Sequence, residues 1–148
     1  MADLTSILSK KSEEIKAPPP IPKGHYVCFV QKYEFGKSKR QQTDYCRVYF
    51  KAVEAKDDVD QAELAAIGGL DKVEFYRDFY LTEDSVFIFN DFLKGPLGIP
   101  SSGRTLAEMC PEMPSKTCLV EIGHSPILNR DNTPTGRTRS EAVAFAAA

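Results

Sequence analysis

The stretch YCRVYFKA at positions 45–52 alternates apolar and polar side chains without interruption. Its apolar positions are Cys46, Val48, Phe50 and Ala52. Successive side chains of a β-strand point to opposite faces, so this pattern predicts a strand with one buried and one exposed face. The exposed face then carries the other four residues, which are Tyr45, Arg47, Tyr49 and Lys51.

Four more strands are predicted around this one. A β-rich run from Gly24 to Phe35 precedes it, and a third strand is expected from about Lys72 to Leu81. The last two strands are expected at 116–124 and about 139–145, joined by a long polar loop at 129–137. The phase of the first strand stays open. Either Tyr26, Cys28 and Val30 point inward, which places Phe29 and Tyr33 on the outer face, or Val27 and Phe29 do.

Helical signals lie between the third and fourth strands. Thr82-Glu83-Asp84 has the composition of a helix cap, and Thr105 is spaced from Glu108 as in a capping box. Three strands, a helical insert and two more strands predict a mainly β protein, a five-stranded OB-fold barrel over residues 21–148. A β-sandwich, which usually needs about seven strands, is the weaker alternative. Residues 1–20 combine a short amphipathic stretch with three consecutive prolines and are expected to form a flexible N-terminal arm.

Charge is distributed unevenly along the chain. Residues 21–51 carry seven Lys or Arg and two acids, a net charge of +5, whereas residues 52–93 carry three bases and eleven acids, a net charge of −8. The total is only −2. Attraction to a polyanion must therefore come from a local basic surface and not from the overall charge.

The outer face of the second strand is the strongest candidate site. Tyr45 and Tyr49 can stack on bases while Arg47 and Lys51 contact phosphates, and each base–aromatic stack contributes about 1–3 kcal/mol. In an OB-fold, the loops after strands one and four flank such a face. Here those loops carry six further cations, which are Lys37, Lys39, Arg40, Arg130, Arg137 and Arg139. An ordinary solvent-exposed face remains the competing interpretation.

Two tyrosines of the third strand have an open role. Tyr76 and Tyr80 lie opposite Phe75 and Phe79 in the alternation, so they either extend the candidate face or pack against the helical insert. Asp78 lies between them and would repel a phosphate. Tyr33 joins the candidate face if the first strand has the phase that allows it.

Other chemistry has little support in the sequence. The four cysteines and two histidines lack paired ligand spacing, so no metal or cofactor is expected, and the cysteines have the character of buried apolar residues. No nucleophile elbow, phosphate loop or zinc-protease motif is present, so we expect no enzymatic activity. No segment has the length of a membrane span, and a cytoplasmic location is expected.

Several segments share a pattern of positions with one group of proteins. They are Gly24–Cys28, Tyr45–Ala55, Phe87–Ile99 with its Phe92-Leu93 and Leu97-Gly98-Ile99 groups, and the two closing strands. Over about 21–145 this pattern resembles bacteriophage single-stranded DNA-binding proteins, in particular small ones from replication and recombination modules. The resemblance implies an OB-fold that coats single-stranded DNA without sequence preference, in replication, recombination or repair. It also implies core positions for Tyr26, Cys28 and Val30, and a groove lined by Tyr45, Arg47, Tyr49 and Lys51.

One feature departs from this resemblance, and one alternative function stays open. Many such phage proteins end in an acidic tail that recruits partner enzymes, whereas this sequence ends in AVAFAAA. Recruitment of phage replication or recombination proteins through the C-terminus is therefore in doubt. The alternative is a structural or adaptor protein of a phage particle that uses the N-terminal arm for interaction. Homodimerisation through open sheet edges or the arm, and DNA against RNA as the ligand, are both left open.

Overall fold

The computed structural model describes residues 4–9 and 20–148. Its five strands are β1 (Gly24–Lys37), β2 (Asp44–Ala55), β3 (Glu74–Tyr80), β4 (Thr117–Leu128) and β5 (Pro134–Ala146). They form one antiparallel sheet in the order β3-β2-β1-β4-β5. The helices are α1 (Leu4–Leu8), α2 (Gln61–Ala66), α3 (Val86–Lys94) and α4 (Leu106–Met109), with 3-10 turns at Leu70–Lys72 and Cys110–Glu112.

The mainly β character and the five strands are as predicted, but the closed barrel is wrong. Closure requires a hydrogen-bonded ladder between β3 and β5, and these strands are the two ends of the sheet order. They approach each other through side chains instead: the Arg77 guanidinium donates to the Ala142 carbonyl at 2.8 Å, and the Phe79 and Phe145 rings lie 6.0 Å apart. The sheet is therefore curled and open, with a seam between β3 and β5.

The core lies on the concave face of this sheet and is rich in aromatic rings. Phe50, at the centre of β2, stacks on Phe75 at 5.2 Å and meets the Phe92 and Phe145 rings at 5.9 and 5.5 Å. Because α3 supplies Phe92, it packs across the sheet and joins β3 to β5 through their side chains. Aromatic pairs at such distances add about 0.5–1.5 kcal/mol each to their burial.

The phase of β1 is resolved by burial, and the expected position of Tyr33 is wrong. Tyr26, Cys28 and Val30 are fully buried, so the first of the two phases is correct. However, a bulge places Val30 opposite Phe50 and Lys32 opposite Tyr49, which leaves Gln31 without a partner. The extra residue reverses the alternation beyond it. Tyr33 consequently lies opposite the buried Val48 and packs against the core side of the sheet.

The β4–β5 hairpin is longer than the sequence indicates. The predicted polar loop at 129–137 is reduced to the turn at 129–133, and residues 134–137 belong to β5. β1 pairs with β4 only as far as Gly24 opposite Ile122, so the hairpin continues beyond the sheet as a two-stranded arm. Arg137 and Arg139 therefore lie on a strand and not in a loop.

Local capping agrees in part with the predicted helix starts. The Thr105 hydroxyl accepts the Glu108 N–H at 3.2 Å, as expected for a cap. Thr82 instead closes a turn by accepting the Ser85 N–H, and α3 begins only at Val86. None of the helices in the described ranges is long and apolar enough to cross a membrane.

Only a small part of the predicted N-terminal arm is described. Leu4–Leu8 forms one short helix, α1, whose Leu4 and Leu8 side chains are exposed. Positions 1–3 and 10–19 lie outside the described residues, so the flexible arm over 1–20 stays a prediction.

Candidate functional site

Four tyrosines lie together on the convex side of β2 and β3, and we call this surface the tyrosine face. The strand register places Tyr45 opposite Tyr80 and Tyr49 opposite Tyr76, with ring centroids 6.5 and 6.0 Å apart. Tyr76 and Tyr80 are 53% and 48% exposed. The open question about these two residues is thereby answered: they extend the face and do not pack under the helices.

Arg47 occupies the centre of the tyrosine face and is held by a carboxylate. Its Nε and one terminal nitrogen donate to the two oxygens of Asp78 at 2.7 and 3.0 Å. Its guanidinium carbon also lies 4.2 Å from the Tyr76 ring centroid and 5.4 Å from that of Tyr45. The hydrogen bonds to Asp78 raise the pKa of Arg47 above its already high ordinary value. The cation is permanent and fixed in orientation by this fork-like pair.

Of the two remaining cations of the face, one forms an ion pair and the other lies over a tyrosine ring. Lys51 forms an ion pair with Glu74 at 3.2 Å, and Lys32 lies 4.7 Å from the centre of the Tyr49 ring. The Tyr49 hydroxyl donates a hydrogen bond to Glu34, which raises the pKa of Tyr49. Three cations and three carboxylates therefore share this surface, which is formally neutral.

The position of Tyr45 depends on a glycine in the neighbouring strand. Gly36 lies directly opposite Tyr45 in the β1–β2 register. A Cβ at position 36 would lie only 2.7 Å from the Tyr45 hydroxyl oxygen and 2.8 Å from the ring carbon that bears it. The missing side chain lets the tyrosine ring lie across β1, a close approach that glycine permits.

The turn between β1 and β2 presents cations at one end of the face. It is closed by hydrogen bonds between Ser38 and Thr43, from the Ser38 N–H to a carbonyl at 2.9 Å and from the Thr43 N–H to the Ser38 hydroxyl at 3.0 Å. Lys37 pairs with Asp44 at 3.1 Å. Lys39 and Arg40 are exposed and form no ion pair with any described residue.

The β4–β5 hairpin carries the other predicted cations. Arg139 lies across the seam from Tyr76 and Tyr80, its Nε 3.3 Å from the Ser125 hydroxyl and a terminal nitrogen 4.0 Å from Glu141. Arg130 and Arg137 are exposed farther along the arm. Within the described ranges these two arginines form no ion pair.

A groove of about 590 Å³ follows the seam beside the tyrosine face. One wall is β3 with Tyr76 and Tyr80, and the other is the segment of β5 from Arg139 to Ala142. Arg77, which the sequence analysis did not select, lines this groove and bonds across it to Ala142. The alternation of β3 places Arg77 on the core side with Phe75 and Phe79, so the sequence offered no signal that it would reach the seam.

A separate polar cluster ties β1 to the connection after β2. Asp58 accepts hydrogen bonds from the backbone N–H of His25 at 2.9 Å and from its ring Nδ1 at 2.6 Å, and both lower the pKa of Asp58. Glu121 lies 3.7 Å from the other ring nitrogen. Residues 4–9 and 20–148 contain no group of three or more His, Cys, Asp or Glu placed to hold a metal ion.

Comparison of the sequence with protein families and with curated proteins identifies no relative. A scan against protein-family models matches none of them, and a search of curated proteins finds no significant sequence similarity. The geometry of the tyrosine face is therefore the basis for assigning a function.

Proposed function

We propose that this protein binds single-stranded DNA on the tyrosine face, without sequence preference and without catalysis. The observation that carries the proposal is the pairing of four tyrosines across two adjacent strands, two of them about half exposed. Stacking on such rings tolerates every base because each base has a π-face. From the resemblance to phage proteins we propose that this activity serves DNA replication, recombination or repair in the cytoplasm of a bacterial host.

Assignment of the five-stranded sheet to a fold family is part of the same proposal. We infer an OB-fold whose barrel is open at the seam between β3 and β5. This assignment is supported by the antiparallel order, by α3 and α4 lying between β3 and β4 in the chain, and by the Arg77–Ala142 contact where a closing ladder would run. In this fold the ligand lies across the second and third strands, between the loops that carry the cations.

A binding titration tests the proposal directly. The fluorescence anisotropy of a labelled oligo-dT of about thirty nucleotides should rise as protein is added. The affinity should fall as salt increases, because binding releases counterions from the DNA. A duplex of the same length should bind more weakly because its bases are not available for stacking. Absence of binding to the single strand at low salt, or a preference for the duplex, would refute the proposal.

A single substitution tests the stacking surface. Tyr76→Ala should weaken oligo-dT binding by about 1–3 kcal/mol, the usual contribution of one stacked base. Phe87→Ala is the matched control, since Phe87 is an aromatic residue of α3 that is 58% exposed and lies outside the face. Both variants should keep the melting temperature of the parent protein. Equal losses of affinity in the two would show that the tyrosine face is not the binding surface.

One observation favours the structural or adaptor role as a second candidate. A groove of about 270 Å³ lies between α3, β3 and the end of β5, with Phe79 and Phe92 among its lining residues and Ile88 and Val143 exposed on it. Apolar clefts of this kind are typical of sites that receive a side chain of another protein. Co-purification with phage particle proteins, together with no affinity for single strands, would support this second role.

A further inference from the structure

The cations that β2 contributes to the tyrosine face are neutralised by carboxylates, an arrangement that a phosphate-binding surface would not need. Each of the two cations that β2 contributes is already paired with a carboxylate of β3, Arg47 with Asp78 and Lys51 with Glu74. The Arg47–Asp78 pair is the stronger of the two, because it uses two parallel hydrogen bonds and both side chains are partly buried. A phosphate that approached Arg47 would have to displace Asp78 or accept its repulsion.

Apart from Lys32 of β1, which lies over the Tyr49 ring, the cations without carboxylate partners lie outside the tyrosine face. Among the described residues, Lys39 and Arg40 in the first turn and Arg130 and Arg137 on the hairpin arm form no ion pair. All four are exposed, so a phosphate can reach them without breaking an existing contact. Apart from Lys32, the surface thus separates two kinds of group, aromatic rings on the face and available charges on the connections beside it.

We propose that Asp78 and Glu74 are specificity-determining residues that keep Arg47 and Lys51 away from phosphate. A single strand then binds with its bases against the tyrosines, and its backbone charge is neutralised by the turn and the hairpin arm. This inference rests on the proposed single-stranded DNA binding. Because the two carboxylates occupy Arg47 and Lys51, the face recognises unpaired bases. It does not recognise phosphates, which duplex and single strand share.

The salt dependence of binding separates these contacts. For single strands, the logarithm of the association constant falls with the logarithm of salt concentration by about 0.7 for each phosphate contact. Asp78→Asn should release Arg47 for a phosphate, bind oligo-dT more tightly at low salt and steepen this slope by about 0.7. Glu74→Gln should do the same through Lys51. Removing both partners, as in Lys51→Gln with Glu74→Gln, should leave the slope unchanged.

The matched control removes the available cations. Lys39→Ala with Arg40→Ala should flatten the slope by about 1.4, equivalent to two lost phosphate contacts. Melting temperatures identify any variant that is misfolded, and Glu74→Gln serves as the second test because Glu74 is exposed. If wild-type protein binds but the Lys51/Glu74 double variant flattens the slope, or neither single carboxylate variant steepens it, this inference is overturned while the proposed function stands. If wild-type protein binds no single strand, both fail.

Discussion

Four thiols lie in the core, and burial controls their chemistry. Burial raises the pKa of Cys28, Cys46 and Cys118 to about 12 and also raises that of Cys110. The charged thiolate is the reactive form, so a raised pKa suppresses reaction with alkylating reagents. The sequence predicted this role, because cysteines without paired spacing in apolar strands are typical of small buried residues.

The thiols should therefore be inert in the folded protein. At about pH 8, iodoacetamide is expected to leave all four cysteines unmodified, whereas in concentrated guanidinium chloride it should modify all four, since thiols of the unfolded chain have a pKa of about 8.5. Intact-mass spectrometry counts the additions. Rapid modification of a cysteine under native conditions would place that side chain at the surface and contradict the burial.

The tyrosine face shows which residue-level features a sequence can reveal. Strict alternation identified Tyr45 and Tyr49 as neighbours on one side of a strand, because the period of a strand is two. It could not identify Asp78 as the partner of Arg47, since that pairing depends on the register between strands 31 residues apart. The sequence shows that Arg47 carries a positive charge, but it does not show that Asp78 neutralises this charge.

At the level of elements, Asp58 fastens the connection after β2 to the start of β1. Its carboxylate accepts the His25 N–H and the His25 ring, and both bonds lower its pKa. A lowered carboxyl pKa means that the folded state favours the charged form. Its contribution to stability is therefore present above the ordinary aspartate pKa of about 3.9 and is lost as pH falls through the lowered folded value.

Asp58→Asn should lower stability near neutral pH by less than about 1 kcal/mol, because the side chain is half exposed and solvent screens the pair. The difference from wild type should stay constant from about pH 6 to about 4 and shrink as pH falls from about 4 to about 2. Urea unfolding midpoints across this range measure it. Asp57→Asn, next to it in the chain and also exposed, is the control, since the hydrogen bonds from His25 go to Asp58 and not to Asp57. A constant difference at every pH would exclude ionisation of Asp58 as its cause.

Element boundaries were harder to predict than element types. Five strands follow from β-branched and aromatic runs between polar turns, and all five are present. The length of the β4–β5 hairpin did not follow, because residues 134–140, which form the β5 strand of the two-stranded arm, are polar on both faces and resemble a loop in composition. The predicted position of Tyr33 was wrong for another reason, because nothing about Gln31 in the sequence indicates a bulge.

At the scale of the whole molecule, the seam between β3 and β5 depends on very few contacts. The Arg77 guanidinium reaches the Ala142 carbonyl and lies 5.5 and 5.8 Å from the Phe79 and Phe145 rings. No ladder supports this edge within the described chain. Whether the sheet closes could not be predicted from the sequence, because closure depends on the accumulated twist and stagger of all five strands.

Arg77→Met should loosen the seam, because it removes a charged donor to a half-buried carbonyl, a contact that typically contributes about 1.5–3 kcal/mol. Amides of β5 near Ala142 should then exchange with deuterium faster than in wild type, while amides of the β1–β2 pair keep their protection. Hydrogen exchange followed by mass spectrometry resolves the two regions. Arg104→Met is the control, since Arg104 also donates to a carbonyl, that of Pro100, but outside the sheet. Uniform acceleration in both strand pairs would instead indicate a global loss of stability.

The unpaired residues in the strand ladders bear on how the chain can change over evolutionary time. Gln31 in β1, Val53 in β2 and Val143 in β5 each lie between consecutive paired positions, and all three are exposed. Loss of Gln31 would leave Lys32 and Glu34 on the same side of the sheet as before, because Gln31 is the extra residue of the bulge and pairs with no residue of β2. Descendants of this protein can therefore gain or lose a residue at these points and keep the same surface. Homologues are expected to differ in length there while Tyr45 and Tyr49 retain their neighbours.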